Sequence, residues 1–319
     1  MAPSPILSVQ DLRVEFMTPT GPVCAVDNVS FDIAPGEVLG LAGESGSGKS
    51  TVAMAIMRLL RPPAVITGGR VLFAGQDVLS MTEEQLRAFR WRKMALVFQS
   101  AMTALNPVLT IGEQIADPII AHDGVTPAQA MERAAALLKL VNIDTSRLAS
   151  YPHQLSGGMR QRVVIAIAMA LKPPFLIMDE PTTALDVVVQ KEILQQIADL
   201  KDRLGFSILF ITHDLSLIAE FSTRIAILYA GKLAETARAK DLFSDPKHPY
   251  TQGLLGSFPS VRGPRRKLQG IPGSPPDMRN PPPGCRFHPR CPQAFATCQN
   301  ELPVLREIAP EHRGACHLY

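Results

Sequence analysis

Residues 43–51 read GESGSGKST and satisfy the pattern G-x-x-x-x-G-K-[ST] through Gly43, Gly48, Lys49 and Ser50. The apolar run EVLGLA precedes them and the helix-like TVAMAIMRLL follows. Strand, loop and helix in that order is the context the pattern requires. Glycines let a backbone wrap closely around phosphate oxygens, and the N–H groups opening a helix attract negative charge. Gly43, Ser45, Gly46 and Gly48 are therefore the expected cradle. Lys49 adds a point charge against outer phosphates. The Ser50 hydroxyl suits Mg²⁺, and Thr51 suits an inner phosphate. The competing reading is a plain Gly/Ser-rich turn, and the full match in context argues against it.

Outward from the loop, residues 38–42, 94–98, 175–178 and 207–212 are short apolar runs, each followed by a turn or a helix-like stretch. Strands apolar throughout belong to a sheet covered on both faces, and the alternation predicts an α/β fold. The stretch from 81 to about 160 differs, because MTEEQLRAFRWRKM and TPAQAMERAAALLKLVNI carry helical patterning. It is expected to be a helical subdomain inserted between core strands. Residues 1–252 then form one nucleotide-binding domain, and 253–283, rich in Gly, Pro and Arg, read as an extended linker. Residues 284–319 form a small Cys-rich extension.

The 319 residues are 46% hydrophobic and 19% charged, an ordinary globular balance. A net charge of +3 is too mild to argue for a nucleic-acid partner. No apolar run approaches the ~18 residues that span a bilayer, and MAPSPILSVQ lacks the order of a secretory signal. A cytosolic protein whose membrane work comes through partners is expected.

FLIMDEP, residues 175–181, places two carboxylates at the end of an apolar strand. Asp179 suits Mg²⁺, and Glu180 suits orienting or deprotonating an attacking water. Alone this pairing is commonplace; downstream of a phosphate loop it gains meaning.

LSGGMRQR, residues 155–162, decides between the many proteins that carry such loops. It resembles the signature sequence of ABC ATPases, in which one subunit closes over the γ-phosphate held by its partner. Ser156, Gly157 and Gly158 repeat the logic of donors at a helix N-terminus. The resemblance implies further roles. Gln99 matches the glutamine loop that senses Mg²⁺ and moves against the permease. Asp186 matches the loop crossing the dimer interface. His213 matches the switch histidine at the γ-phosphate, and Phe16 the aromatic residue stacked on adenine. The implied fold is a P-loop NTPase core, and the implied activity is ATP hydrolysis coupled to transport. The implied assembly is a dimer with itself or a sibling ATPase, two permease subunits and an extracytoplasmic binding protein. That assembly puts the chain on the cytoplasmic face of the cell membrane.

HPYTQGLLGSFP, residues 248–259, and GCRFHPRCPQAFATCQNELPVL resemble the C-terminal extension of the oligopeptide, dipeptide and nickel importer subgroup. Cys285, Cys291, Cys298 and Cys316 read C-x5-C-x6-C-x17-C, without the tight pairs of zinc modules. Some members of the subgroup carry a [4Fe–4S] cluster, so the resemblance implies these four as its ligands. Zinc, or reduced thiols packed in a small cap, are the alternatives. His288, His312 and His317 read as surface or capping residues, and Cys24 as a buried apolar one. Ser100 and Ala101 stand where peptide importers usually carry an acidic residue and a proline. Oligosaccharide and nickel importers thus remain alternatives to a peptide importer. A soluble ABC ATPase of DNA repair or translation is the remote one, disfavoured by a single cassette and no basic patch. A redox sensor acting through the tail is a third.

Overall fold

The computed structural model describes residues 4–98, 104–183, 185–257 and 270–319. In chain order its strands are β1 (Leu7–Thr18), β2 (Gly21–Ile33), β3 (Val38–Ala42), β4 (Ala64–Phe73), β5 (Gln76–Asp77), β6 (Met94–Val97), β7 (Phe175–Asp179), β8 (Ser207–Ile211), β9 (Arg224–Tyr229), β10 (Lys232–Arg238), β11 (Arg306–Ala309) and β12 (His312–Gly314). The four apolar runs read from the sequence are strands β3, β6, β7 and β8. Every residue of β3, β7 and β8 is buried, as strands covered on both faces must be. The chain divides into two compact units, Met1–Leu79 with Phe210–Tyr319, and Ser80–Leu209.

In the first unit, β2-β1-β4-β5 form a four-stranded antiparallel sheet. A second group of strands holds the phosphate loop. In it β9 runs parallel to β3, Leu39 opposite Arg224, and antiparallel to β10. Gly40 in β3 has no room for a side chain, since a Cβ there would lie 2.5 Å from Ser222 Oγ and 2.9 Å from Ile218 Cγ2. The helix Leu215–Phe221 therefore packs directly on the strand backbone.

The C-terminal residues join this same unit. β12 pairs antiparallel with β10, Glu235 opposite Gly314, and β11 pairs with β12. Residues 284–319 thus add two strands beside β10. The helix Pro249–Gly256 runs through residue 253, where the linker was expected to begin. Residues 258–269 lie outside the described residues, and 270–283 carry no helix or strand.

The second unit pairs β6 with β7 in parallel, Met94 opposite Phe175. Its helices start as the sequence requires. Thr82, Thr110 and Thr126 each cap a helix in a reciprocal box with Gln85, Glu113 and Gln129. The helix Val187–Leu204 buries Ile193, Leu194, Ile197 and Leu200, one apolar stripe at helical spacing. Among the described residues no helix is long and apolar enough to cross a membrane.

The iron–sulfur expectation is corrected. Among the described residues, no group of three or more His, Cys, Asp or Glu side chains is placed to hold a metal ion. That finding also removes the zinc alternative. All four C-terminal cysteines are free thiols lining one void of about 10 Å³, the room of about one water molecule. Burial pushes the Cys285 thiol up to about 11 and raises those of Cys291 and Cys316. Burial thus favours the neutral thiol at Cys285, Cys291 and Cys316. Cys24 is half-buried, its thiol directed at the Val26 carbonyl, 3.4 Å away.

Of His288, His312 and His317, expected as surface or capping residues, His312 differs in being buried. His312 is 4% exposed, and its Nε2 lies 2.6 Å from Glu235 Oε1. Glu235 also accepts the backbone N–H groups of Lys247 and His248, at 2.7 and 3.0 Å. His288 and His317 are half-buried against the carbonyls of Cys285 and Glu301. His248 is 3% exposed, and its Nδ1 accepts the Tyr250 N–H at 3.0 Å, which requires a neutral ring.

Burial lowers His248 from 6.5 to about 4. The folded protein thus excludes a proton that the unfolded chain takes up below pH 6.5. This contribution is complete above that pH and is lost as pH falls toward about 4. It corresponds to about 3 kcal/mol. Denaturant unfolding at stepped pH is expected to show this fall, and His248→Asn is expected to flatten it. A wild-type profile level across the window would refute the assignment.

Candidate functional site

The loop after β3 folds as its glycines demand. Gly43 has φ 149 and Gly48 φ 104, both in backbone regions that L side chains rarely adopt. A Cβ on Gly43 would lie 2.1 Å from the Leu228 carbonyl oxygen, and one on Gly48 2.5 Å from that of Ala25. The loop is therefore pressed against β9 and β2 from behind. Its Ser47 carbonyl accepts the Gly231 N–H at 2.9 Å. Gly48 is also the N-cap of the helix Lys49–Ile56, whose Val52, Ala53, Ala55 and Ile56 are buried.

Lys49 is 6% exposed, and its ammonium is held in the mouth of the loop. It donates to the carbonyls of Gly43 and Glu44 at 2.8 and 2.9 Å and reaches Ser47 Oγ at 3.4 Å. Ser45, Gly46 and Ser50 are exposed around it, and Thr51 is half-exposed. The arrangement is a concave run of backbone with one cation at its centre and a helix N-terminus beneath. It fits a chain of phosphates. Phe16 is half-buried on β1, opposite Val23 and Ala64. His213 is exposed just beyond β8, next to Asp214, which caps the following helix.

In the second unit, β7 carries Asp179 to its end at 6% exposure. Glu180 follows with φ 47, a left-handed conformation that costs a non-glycine residue about 1–2 kcal/mol. Its Oε2 accepts the Thr183 hydroxyl at 3.1 Å. Strain of this kind collects where a side chain must point in a fixed direction. Ser156 caps the helix Gly157–Ala168, its hydroxyl accepting the Met159 N–H at 3.3 Å. Gly157 and Gly158 open that helix, and a Cβ on Gly158 would meet Val189 Cγ1 at 2.7 Å. Asp186 is exposed and caps the helix Val187–Leu204, accepting the N–H groups of Val188 and Val189 at 3.1 and 3.0 Å. Gln99, Ser100 and Ala101 lie outside the described residues.

Three residues at the loop escaped the sequence reading. Glu44 accepts two hydrogen bonds from Arg290, at 2.7 and 3.0 Å, and its N–H donates to Tyr250 Oη at 2.8 Å. The HPYT and FHPRC segments were visible as motifs, but nothing local ties them to residue 44.

Fold and loop define a nucleotide-binding protein of the P-loop class. A family model described as ABC transporter matches residues 26–183. A second, for the C-terminal region of oligopeptide/dipeptide transporters, matches 234–298. A probable peptide ABC transporter ATP-binding protein of Sinorhizobium fredii is 47% identical, over 98% of this chain and 94% of that protein. The dipeptide transport ATP-binding protein DppD of Bacillus subtilis is 44% identical, over 98% and 94%. A dimeric ATP-binding cassette in a post-hydrolysis state, bound to ADP and Pi, superposes with a TM-score of 0.66 at 30% identity. It covers 73% of this chain and 98% of that one. The chain belongs to the family of ABC transporter ATP-binding proteins and is an ATP-hydrolysing subunit of that family.

Proposed function

We propose that this chain energises an importer of peptides or dipeptides. The observation that carries the reading is likeness along nearly the whole chain to peptide and dipeptide transport ATP-binding proteins, C-terminal region included. In this reading Gly43, Ser45, Gly46, Gly48 and Thr51 bind phosphates through backbone and hydroxyl groups, and Lys49 neutralises the outer ones. Phe16 faces the base. By the family resemblance, Ser50, Asp179 and Gln99 would hold Mg²⁺, which would supply charge neutralisation at the transferring phosphoryl group. Glu180 takes the proton of the attacking water, and His213 contacts the γ-phosphate. Positioning and charge do most of the catalysis.

Ser156, Gly157 and Gly158 serve the nucleotide of a partner cassette, either a second copy or a sibling ATPase, with Asp186 at the shared interface. Asp186 also caps its own helix, so its carboxylate is already oriented. The chain sits on the cytoplasmic face of the membrane against two transmembrane permease subunits, with an external binding protein that selects the cargo.

The test is a tagged pull-down from native membranes in mild detergent, read by mass spectrometry. Two polytopic permeases, with or without a second ATPase, are the expected catch. Recovery of soluble nucleic-acid or ribosomal proteins alone would overturn the reading.

A further inference from the structure

The C-terminal region reaches back to the phosphate loop at Glu44. Arg290 closes a two-bond fork on its carboxylate, at 2.7 and 3.0 Å, with side-chain exposures of 6% for Arg290 and 26% for Glu44. Tyr250 is fully buried and accepts the Glu44 N–H at 2.8 Å. The Glu44 carbonyl in turn accepts from Lys49 Nζ at 2.9 Å. Residue 44 is therefore gripped at side chain and N–H from the C-terminal region, and at its carbonyl by the phosphate-binding lysine.

The grip is itself braced. Arg290 Nε donates to the Pro272 carbonyl at 2.8 Å, and its guanidinium lies over the Tyr229 ring, 5.9 Å from the centroid. Tyr229, Tyr250 and Phe287 pack as a trio with centroids 4.4 to 5.3 Å apart. Arg286, four residues before Arg290 in sequence, bonds Asp27 and the Ala230 carbonyl. The segment carrying Arg290 is thereby anchored to β2 and to the β9–β10 turn. A carboxylate in a loop that receives phosphates opposes their binding unless its charge is balanced. Arg290 balances it with a planar fork that a point charge cannot reproduce.

We propose that Arg290 and Tyr250 are positioning residues for ATP: the C-terminal region holds the phosphate loop in its binding shape through Glu44 and sets the protein's nucleotide affinity. The inference rests on residues 43–51 being the ATP cradle, and Lys49→Ala separates the two failures. If Lys49→Ala leaves ATP binding intact, the cradle itself is wrong. If it abolishes binding while the Arg290 variants do not, only the present inference falls.

The experiment is calorimetric titration of the full-length chain with MgATP, alongside steady-state ATPase assays and thermal melts. Arg290→Gln is expected to weaken affinity by about 10- to 100-fold, and Glu44→Gln, which removes the opposing charge together with the fork, by less. For Arg290→Gln, turnover at saturating ATP is expected to stay within about 3-fold of wild type, because Arg290 touches no reacting atom. Arg290→Lys should fall between, keeping the charge but losing the fork. The double variant should bind better than the sum of the single losses predicts, since neither charge is left alone. Glu44→Gln keeps the fold test independent, because it leaves no buried cation without a polar acceptor. Two results would overturn the proposal: melting temperatures that drop while affinities stay within 2-fold, or single losses that simply add.

Discussion

Glu180→Gln is expected to bind ATP almost as tightly as the wild type and to hydrolyse it about 100- to 10,000-fold more slowly. The structure makes this a clean substitution. The carboxylate leaves the end of β7 in a left-handed conformation, φ 47, between the buried Asp179 and the buried Pro181. Its Oε2 accepts the Thr183 hydroxyl at 3.1 Å. A glutamine oxygen accepts the same bond and occupies the same volume, so backbone and local packing persist. What disappears is the capacity to take a proton. Equilibrium binding and single-turnover hydrolysis measured on the same preparation separate the two effects. Hydrolysis at the wild-type rate would place the proton acceptor elsewhere.

Gly43→Ala is expected to abolish useful ATP affinity, by about 100-fold or more, through geometry alone. A Cβ at this position would stand 2.1 Å from the Leu228 carbonyl oxygen, a backbone atom of β9 that cannot swing aside. The loop must move, and the carbonyl of Gly43, one of the two that hold Lys49 Nζ, moves with it. Gly75→Ala provides the control. Gly75 also has a positive φ, 84, yet a Cβ there meets nothing within 4 Å. It should cost about 1–2 kcal/mol of stability and leave ATP binding unchanged. Equal affinity losses in the two variants would show that Gly43 is not special to the site. Binding titrations beside thermal melts read both quantities.

Much of the architecture was legible from residue order. β3, β7 and β8 announced themselves as unbroken apolar runs, and all are wholly buried strands. The segments 81–94 and 126–143 carried helical patterning, and helices begin in them behind Thr82 and Thr126. The phosphate loop was readable for the same reason: its chemistry lies within nine consecutive residues. Short-range order of this kind is set by local sterics and by bonds between near neighbours.

The cysteines show where such reading stops. Four of them in a short tail imply a ligand set only if their sulfurs surround a space the size of a metal centre. The fold leaves them a void for about one water. His312 offers a second case. In sequence it is one more polar residue near the end of the chain. The pairing of β12 with β10 sets it against Glu235, 77 residues away, as a buried hydrogen-bond partner.

Residue order by itself determined the apolar strands β3, β6, β7 and β8, the phosphate loop with Lys49 at its centre, and the family. Tertiary structure alone packed the four tail thiols around a void of about one water, with no group placed to hold a metal among the described residues. It alone brought Tyr250 and Arg290, 206 and 246 residues further on, to Glu44. Contacts at such separations depend on strand register and on which faces pack together. Those are settled by burial summed over the whole unit rather than by any residue's neighbours in sequence.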